Sequence, residues 1–203
     1  MNEILDTAQK IGEFLAVIMI SLFFCKQYLE KYLKKKDISK LIPKQNKIDL
    51  NIVQKMEYTK EILNADRIHV YEFHNGDDYS DHRPAFKFSC TYEVFKAGNQ
   101  PVQQLCTKLP TNCMPLFVNE IMEKNLFVCK NIEEIKDSMP STYNFKKSLK
   151  IESFYDVAIK NSKGNIIGFI AIHWFNKKNM VVNDEIIKQL VWFIEEHLKS
   201  SFK

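Results

Sequence analysis

The chain has 203 residues, of which 45% are apolar and 12% aromatic, enough for one ordinary core and an appendage. Its net charge of +4 is concentrated: residues 26–49 hold eight Lys against Glu30, Asp37 and Asp49, while residues 1–25 carry −2 and residues 50–203 carry +1. A nearly neutral body excludes a nucleic-acid binder with basic charge spread over its surface, and five cysteines without a CxxC pair exclude a disulfide scaffold.

Residues 3–36 read as one long helix without Pro. Phe14–Cys25 is apolar except for Ser21, and the apolar stretch counted from Ile11 is 15 residues interrupted by Glu13. That is roughly 22 Å of helix, against a bilayer core that takes about 20 residues. Tyr28, Tyr32, Lys26, Lys31 and Lys34–Lys36 would suit a headgroup layer on the cytoplasmic side. A second pattern lies over the first. Ile4, Ala8, Ile11, Leu15, Ile18, Leu22, Cys25, Leu29 and Tyr32 alternate spacings of four and three, a heptad seam through which residues 4–32 could self-associate. Phe14, Val17, Met19, Ile20, Phe23 and Phe24 lie off that seam, so the helix is apolar on all sides and expects cover on all sides. The sequence therefore predicts a transmembrane or membrane-anchoring helix with the body in the cytoplasm, or an assembly helix buried in a larger particle.

Residues 37–49 read as a basic linker containing Pro43, and Asp49 as the cap of a helix reaching about Asn64. Arg67–His74 reads as a strand. Ala85–Phe95 reads as another, with Phe86, Phe88, Cys90, Tyr92 and Val94 on one face and Lys87, Ser89, Thr91 and Glu93 on the other. Asn75–Pro84 between them is a polar loop. Val102–Leu109 reads as a further strand, and Pro115–Lys124 as a helix capped by Asn112. Leu126–Cys129 is a short strand, and Ile132–Ser138 and Tyr143–Leu149 are short helical pieces.

The last third carries the strongest pattern. Ser153–Lys160 and Ile166–Phe175 are strands joined by the Asn161–Asn165 turn, with Gly164 suited to a positive φ. The second is apolar on both faces and belongs in the middle of a doubly covered sheet. Asn183 can cap a closing helix with Ile187, Leu190, Val191, Ile194 and Leu198 on its apolar face.

In this order the elements over about 50–203 resemble the GAF domain, a small sensor fold related to PAS. The resemblance rests on Gly164-Asn-Ile-Ile-Gly168-Phe-Ile-Ala-Ile, on Asn183-Asp-Glu-Ile-Ile-Lys-Gln-Leu, and on a helix followed by Ala-Asp-Arg-Ile-His-Val. It implies an α+β fold: a GAF/PAS-like antiparallel sheet flanked by helices, here preceded by a long N-terminal helix. It also implies a pocket between the sheet and the irregular middle segment. GAF domains mostly bind small molecules or each other, and most lack activity. A small bacterial or phage-encoded member fits the heavy use of Lys, Asn and Ile.

Two candidate ligand-binding groups follow. Glu72, His74 and Asn75 sit at a strand end beside Asp77, Asp78, Asp81 and His82, in a spacing that matches no metal motif. Ser89, Thr91 and Glu93 share a strand face that could look into the pocket. The same residues also read as a solvated loop with a hydrogen-bonded His74 and as the wet face of a sheet. His173 reads as a core histidine with one polar contact, and Trp174 and Trp192 as core or interface residues. The expected function is non-enzymatic: a membrane-tethered sensor or interaction module that binds a small ligand or a protein. Neither ligand nor cofactor is specified. The alternative is a structural protein of an assembly such as a phage virion, its pocket filled by Phe86, Phe88, Tyr92 and Phe154. A redox enzyme resembling the free methionine sulfoxide reductases ranks third. Cys113 and Cys129 fall near that family's cysteines, but Tyr143–Lys150 lacks the one expected before the hairpin. No P-loop, GxSxG, HExxH or GxGxxG occurs.

Overall fold

The computed structural model describes residues 2–33, 38–76 and 78–200. Lys34–Lys36, Asp37 and Asp77 lie outside these residues, as do the side chains of Ile4, Ala8, Ile11, Leu29 and Tyr32 on the predicted seam. The chain divides into two units with the boundary between Asn46 and Lys47.

In the first unit, helix α1 spans Asn2–Leu33. Its central apolar run is exposed around the circumference: Phe14 is 68% accessible, Val17 61%, Met19 70% and Phe24 63%. Ser21 answers the one polar position by donating its hydroxyl to Val17 O at 2.8 Å. The transmembrane expectation is corrected here: no helix among the described residues is long and apolar enough to cross a membrane. The apolar run ends before it reaches the length of a bilayer core.

Helix α2 spans Ile38–Ile62 and contains Pro43. Helical structure thus begins well before the predicted cap, and Asp49 lies inside the helix. Its carboxylate is held by the Tyr92 hydroxyl at 2.7 Å. Six strands follow: β1 (Arg67–His74), β2 (Lys87–Phe95), β3 (Leu109–Pro110), β4 (Leu126–Cys129), β5 (Ser153–Lys160) and β6 (Ile166–Trp174). They form one antiparallel sheet in the order β3-β2-β1-β6-β5-β4. Helices α3 (Pro115–Lys124), α4 (Pro140–Ser148) and α5 (Asp184–Ser200) complete the fold. Val102–Leu109 is not a strand: Gln103–Cys106 forms a 3-10 turn and only Leu109–Pro110 pairs. Asn112 does not cap α3; its amide donates to the Tyr79 hydroxyl at 2.9 Å.

The sheet is covered twice, as the apolar pattern of β6 requires. On one face, Ile52 and Met56 of α2, Leu63 just beyond it, and Ile187, Leu190, Ile194 and Leu198 of α5 pack on Ile68, Val70, Ile170 and Ile172. Each such side chain contributes about 1.5–3 kcal/mol when taken fully from water. Trp174 is fully buried there and donates its Nε1–H to Leu63 O at 3.0 Å, tying β6 to the end of α2. On the other face, α3, α4 and the irregular middle segment cover Tyr71, Phe88, Phe154 and Phe169. Local chemistry sets the connections. Asn161 Oδ1 accepts the N–H groups of Lys163 and Asn165 at 2.9 and 3.0 Å, and Gly164 takes φ 81°. Asn183 Oδ1 accepts Ile186 N–H at 3.2 Å and caps α5 as predicted. Trp192, by contrast, is exposed.

Candidate functional site

The face of the sheet under α3 and α4 carries a buried polar network. Alternation along β1 points Arg67, His69 and Tyr71 to this face, while Ile68 and Val70 point to the other. In β6, His173 lies opposite Arg67; in β5, Asp156 lies opposite Ala171. Glu93 joins them through a β-bulge. Val70 pairs with Tyr92 but Tyr71 pairs with Cys90, so Thr91 is the extra residue. The bulge puts Glu93 on the same face as Phe88 and Cys90, which a regular strand would not do.

The network has two halves. In the first, Glu93 Oε1 lies 3.2 Å from Arg67 Nε and 3.0 Å from His69 Nε2. The Glu93 carboxylate also accepts the backbone N–H groups of Val102, at 3.0 Å, and Gln103, at 2.9 Å. Tyr71 Oη lies 3.1 Å from His69 Nδ1. With Glu93 ionised, the consistent assignment has Tyr71 donating to Nδ1 and Nε2–H donating to Glu93. Burial lowers the His69 pKa, and that outweighs the neighbouring carboxylate. Burial alone would raise the Glu93 pKa. The hydrogen bonds from His69, Val102 and Gln103 overcome it and bring the carboxyl below its ordinary value.

In the second half, Lys146 of α4 pairs with Asp156 Oδ2 and lies 3.3 Å from His173 Nε2. Lysine can only donate, so His173 Nε2 accepts and Nδ1 carries the proton. The Lys146 ammonium sits 3.9 Å from the Phe154 ring centroid and 5.3 Å from that of Phe117. Burial pushes Asp156 up to about 6 in spite of Lys146, and burial lowers Lys146 in spite of Asp156. Burial, then the charge of Lys146, holds His173 well below its usual value. The His69 and His173 rings meet edge to face at 5.4 Å and join the halves. Two cations face two carboxylates across neutral imidazoles, so the network closes on itself in charge.

Aromatic rings occupy the rest of this face. Tyr71 stacks on Phe169 at 4.7 Å, and Phe88 and Phe117 meet Phe169 edge-on at 5.6 and 5.2 Å. What remains between them and Lys146 and His173 is a cavity of about 10 Å³, room for at most one water. Of the predicted pocket fillers, Phe88 and Phe154 serve; Phe86 is exposed and Tyr92 turns to Asp49 on the opposite face.

The bulge also divides the predicted second group. Ser89 stays with Glu72, its partner in β1, and accepts Lys108 N–H at 2.8 Å. Thr91 donates to Val70 O at 3.4 Å within the bulge, and Glu93 lies across the sheet from both. His74 Nε2 lies 2.9 Å from Ser89 Oγ and Nδ1 lies 3.1 Å from Asn75 O, so the two predicted groups meet through that pair of side chains. Asn75 itself is exposed. Among the described residues no three His, Cys, Asp or Glu side chains gather as metal ligands. Sequence reading missed Arg67, His69, Lys146 and Asp156. The available signal was an Asp between apolar neighbours in β5 and the Arg67-x-His69-x-Tyr71 alternation in a central strand. Burial raises the thiol pKa values of Cys90, Cys106 and Cys129, whereas Cys113 is exposed.

No family model matches the chain, and no curated protein matches it. Solved structures do. The PixJ GAF domain of Thermosynechococcus elongatus in its blue-light-absorbing form superposes with a TM-score of 0.55 at 14% identity, over 77% of this chain and 88% of that one. A GAF domain of Synechocystis in its photoproduct state gives 0.51 at 13% identity, over 76% and 94%. The GAF domain/HD domain protein of Geobacter sulfurreducens gives 0.52 at 12% identity, over 76% and 92%. The chain therefore has a GAF-like α+β fold.

Proposed function

We propose that this chain is a non-enzymatic GAF-like interaction module that works through its surfaces and through α1. The observation that carries the reading is the filled pocket face. Stacked rings and a charge-balanced network stand where the fold would hold a ligand, and only about 10 Å³ remains. Any chemistry there would need a substrate to displace fully buried side chains. Helix α1 supports the assembly side of the reading, because a run apolar around its whole circumference is covered by association rather than by water. The heptad spacing makes a second copy of α1 the partner.

The test is sedimentation velocity of the full chain, with Leu15→Glu/Leu22→Glu as the variant, together with mass spectrometry of small molecules released on denaturation. The expected result is an oligomer that the variant reduces to monomer, with no stoichiometric ligand of nucleotide size or larger in the extract. A monomeric wild-type chain, or such a ligand released at one per chain, would overturn the reading.

A further inference from the structure

We propose that the end of the sheet carries a binding site for a small organic carboxylate, in a cleft that shares no lining residue with the filled cavity, and independent of self-association through α1. The site is an open cleft of about 180 Å³ between the start of β1, the turn at Gly98–Val102, the α4–β5 turn and Phe175. Arg67 lines its floor and is 2% exposed. A guanidinium is a planar fork of five N–H donors that cannot shed its charge in a protein. Here Nη2 donates to Gln100 O at 2.5 Å and Nε, buried, stands 3.2 Å from Glu93, while the other terminal nitrogen makes no hydrogen bond among the described residues. A guanidinium that lines a cleft with a terminal nitrogen unengaged can receive an oxyanion there. The Phe175 and Phe95 rings lie 5.3 and 6.0 Å from its central carbon and support its plane.

A second cation stands at the mouth. Lys150 is exposed and lines the cleft, its backbone held at φ 62° by a hydrogen bond to Lys147 O. Two neighbouring carboxylates are engaged elsewhere. Glu93 is engaged by His69, Val102 and Gln103, and Asp66 accepts Phe175 N–H and faces Lys96 at 3.5 Å. Neither lines the cleft. Val102, Leu105, Leu149 and Phe175 supply apolar walls. Two cations and four apolar side chains lining one cleft fit a carboxylate on a short apolar body better than a bare inorganic anion. The volume, about six waters' worth, suits a small carboxylic acid.

The experiment is a ligand-observed NMR titration of the full chain with phenylacetate, with phenylacetamide and inorganic phosphate as comparison probes. Phenylacetate is expected to saturate at about 1 mM or below, and each comparison probe to bind at least about tenfold more weakly. Two exposed positions locate the site. Lys150→Asn removes a charge with a residue that tolerates a positive φ, and Leu105→Glu places a negative charge at the rim. Each is expected to weaken phenylacetate about fivefold or more. The proposal is overturned if phenylacetate does not saturate by about 20 mM, if the amide or phosphate binds as tightly, or if neither variant changes its affinity.

Discussion

Replacing Glu93 by Gln keeps the shape of the side chain and removes the charge that Arg67 and His69 share. Glutamine can still accept one backbone N–H, from Val102 or Gln103. It cannot compensate Arg67, which is 2% exposed and stays protonated. Removing one partner of such a buried pair costs about 3–5 kcal/mol, a large part of the roughly 5–15 kcal/mol that holds a domain folded. The assay is urea denaturation of the full chain at pH 7, followed by tryptophan fluorescence, since Trp174 lies in the core of the same sheet. Adding Arg67→Met to Glu93→Gln should return part of the loss, because the stranded charge is then gone. The pH dependence has a definite sign. The Glu93 carboxyl lies below its ordinary value of 4.5 in the folded chain. It therefore contributes stability above pH 4.5 that is lost as pH falls through the lowered value. Wild type and Glu93→Gln should converge in acid. A loss under about 1 kcal/mol at pH 7, additive double-mutant energies, or a gap that persists unchanged in acid would refute the reasoning.

Other expectations follow from the same geometry. Lys146→Met/Asp156→Leu removes both ends of a buried pair that burial disfavours, so denaturation midpoints should match wild type within about 1 kcal/mol or exceed it. Gly168→Ala would place a Cβ 2.0 Å from Tyr71 O in the neighbouring strand. Strand β6 cannot move away without breaking its pairing with β1, so a loss of about 3 kcal/mol or more, or an insoluble chain, is expected on expression and melting. Brief alkylation of the native chain, read by mass spectrometry, should modify Cys113 and leave Cys90, Cys106 and Cys129 unmodified. Rapid labelling of Cys129 together with Cys113 would instead favour the redox reading.

Local pattern by itself determined most of the architecture. Arg67–His74 read as the strand that became β1, double-sided apolarity placed β6 inside the sheet, and helical spacing with an Asn cap placed α5. These signals are legible because they follow from the two-residue and 3.6-residue periods of the chain. The candidate site was far less legible. A single extra residue, Thr91, reverses the facing of everything beyond it in β2, and nothing in Ser89–Glu93 announces a bulge. The alternation that grouped Ser89 with Glu93 was sound for a regular strand and failed for this one. Lys146 read as one of several lysines in a short helix. Only the packing of α4 over β5 and β6 makes it the partner of Asp156 and His173. The extent of α2 was likewise masked by Pro43 and a run of charges that read as linker. Sequence periodicity sets which residues share a face of their own element. Strand register and helix docking decide which faces meet, and in this protein the buried charges, the filled pocket and the Arg67 cleft all arise at those meetings.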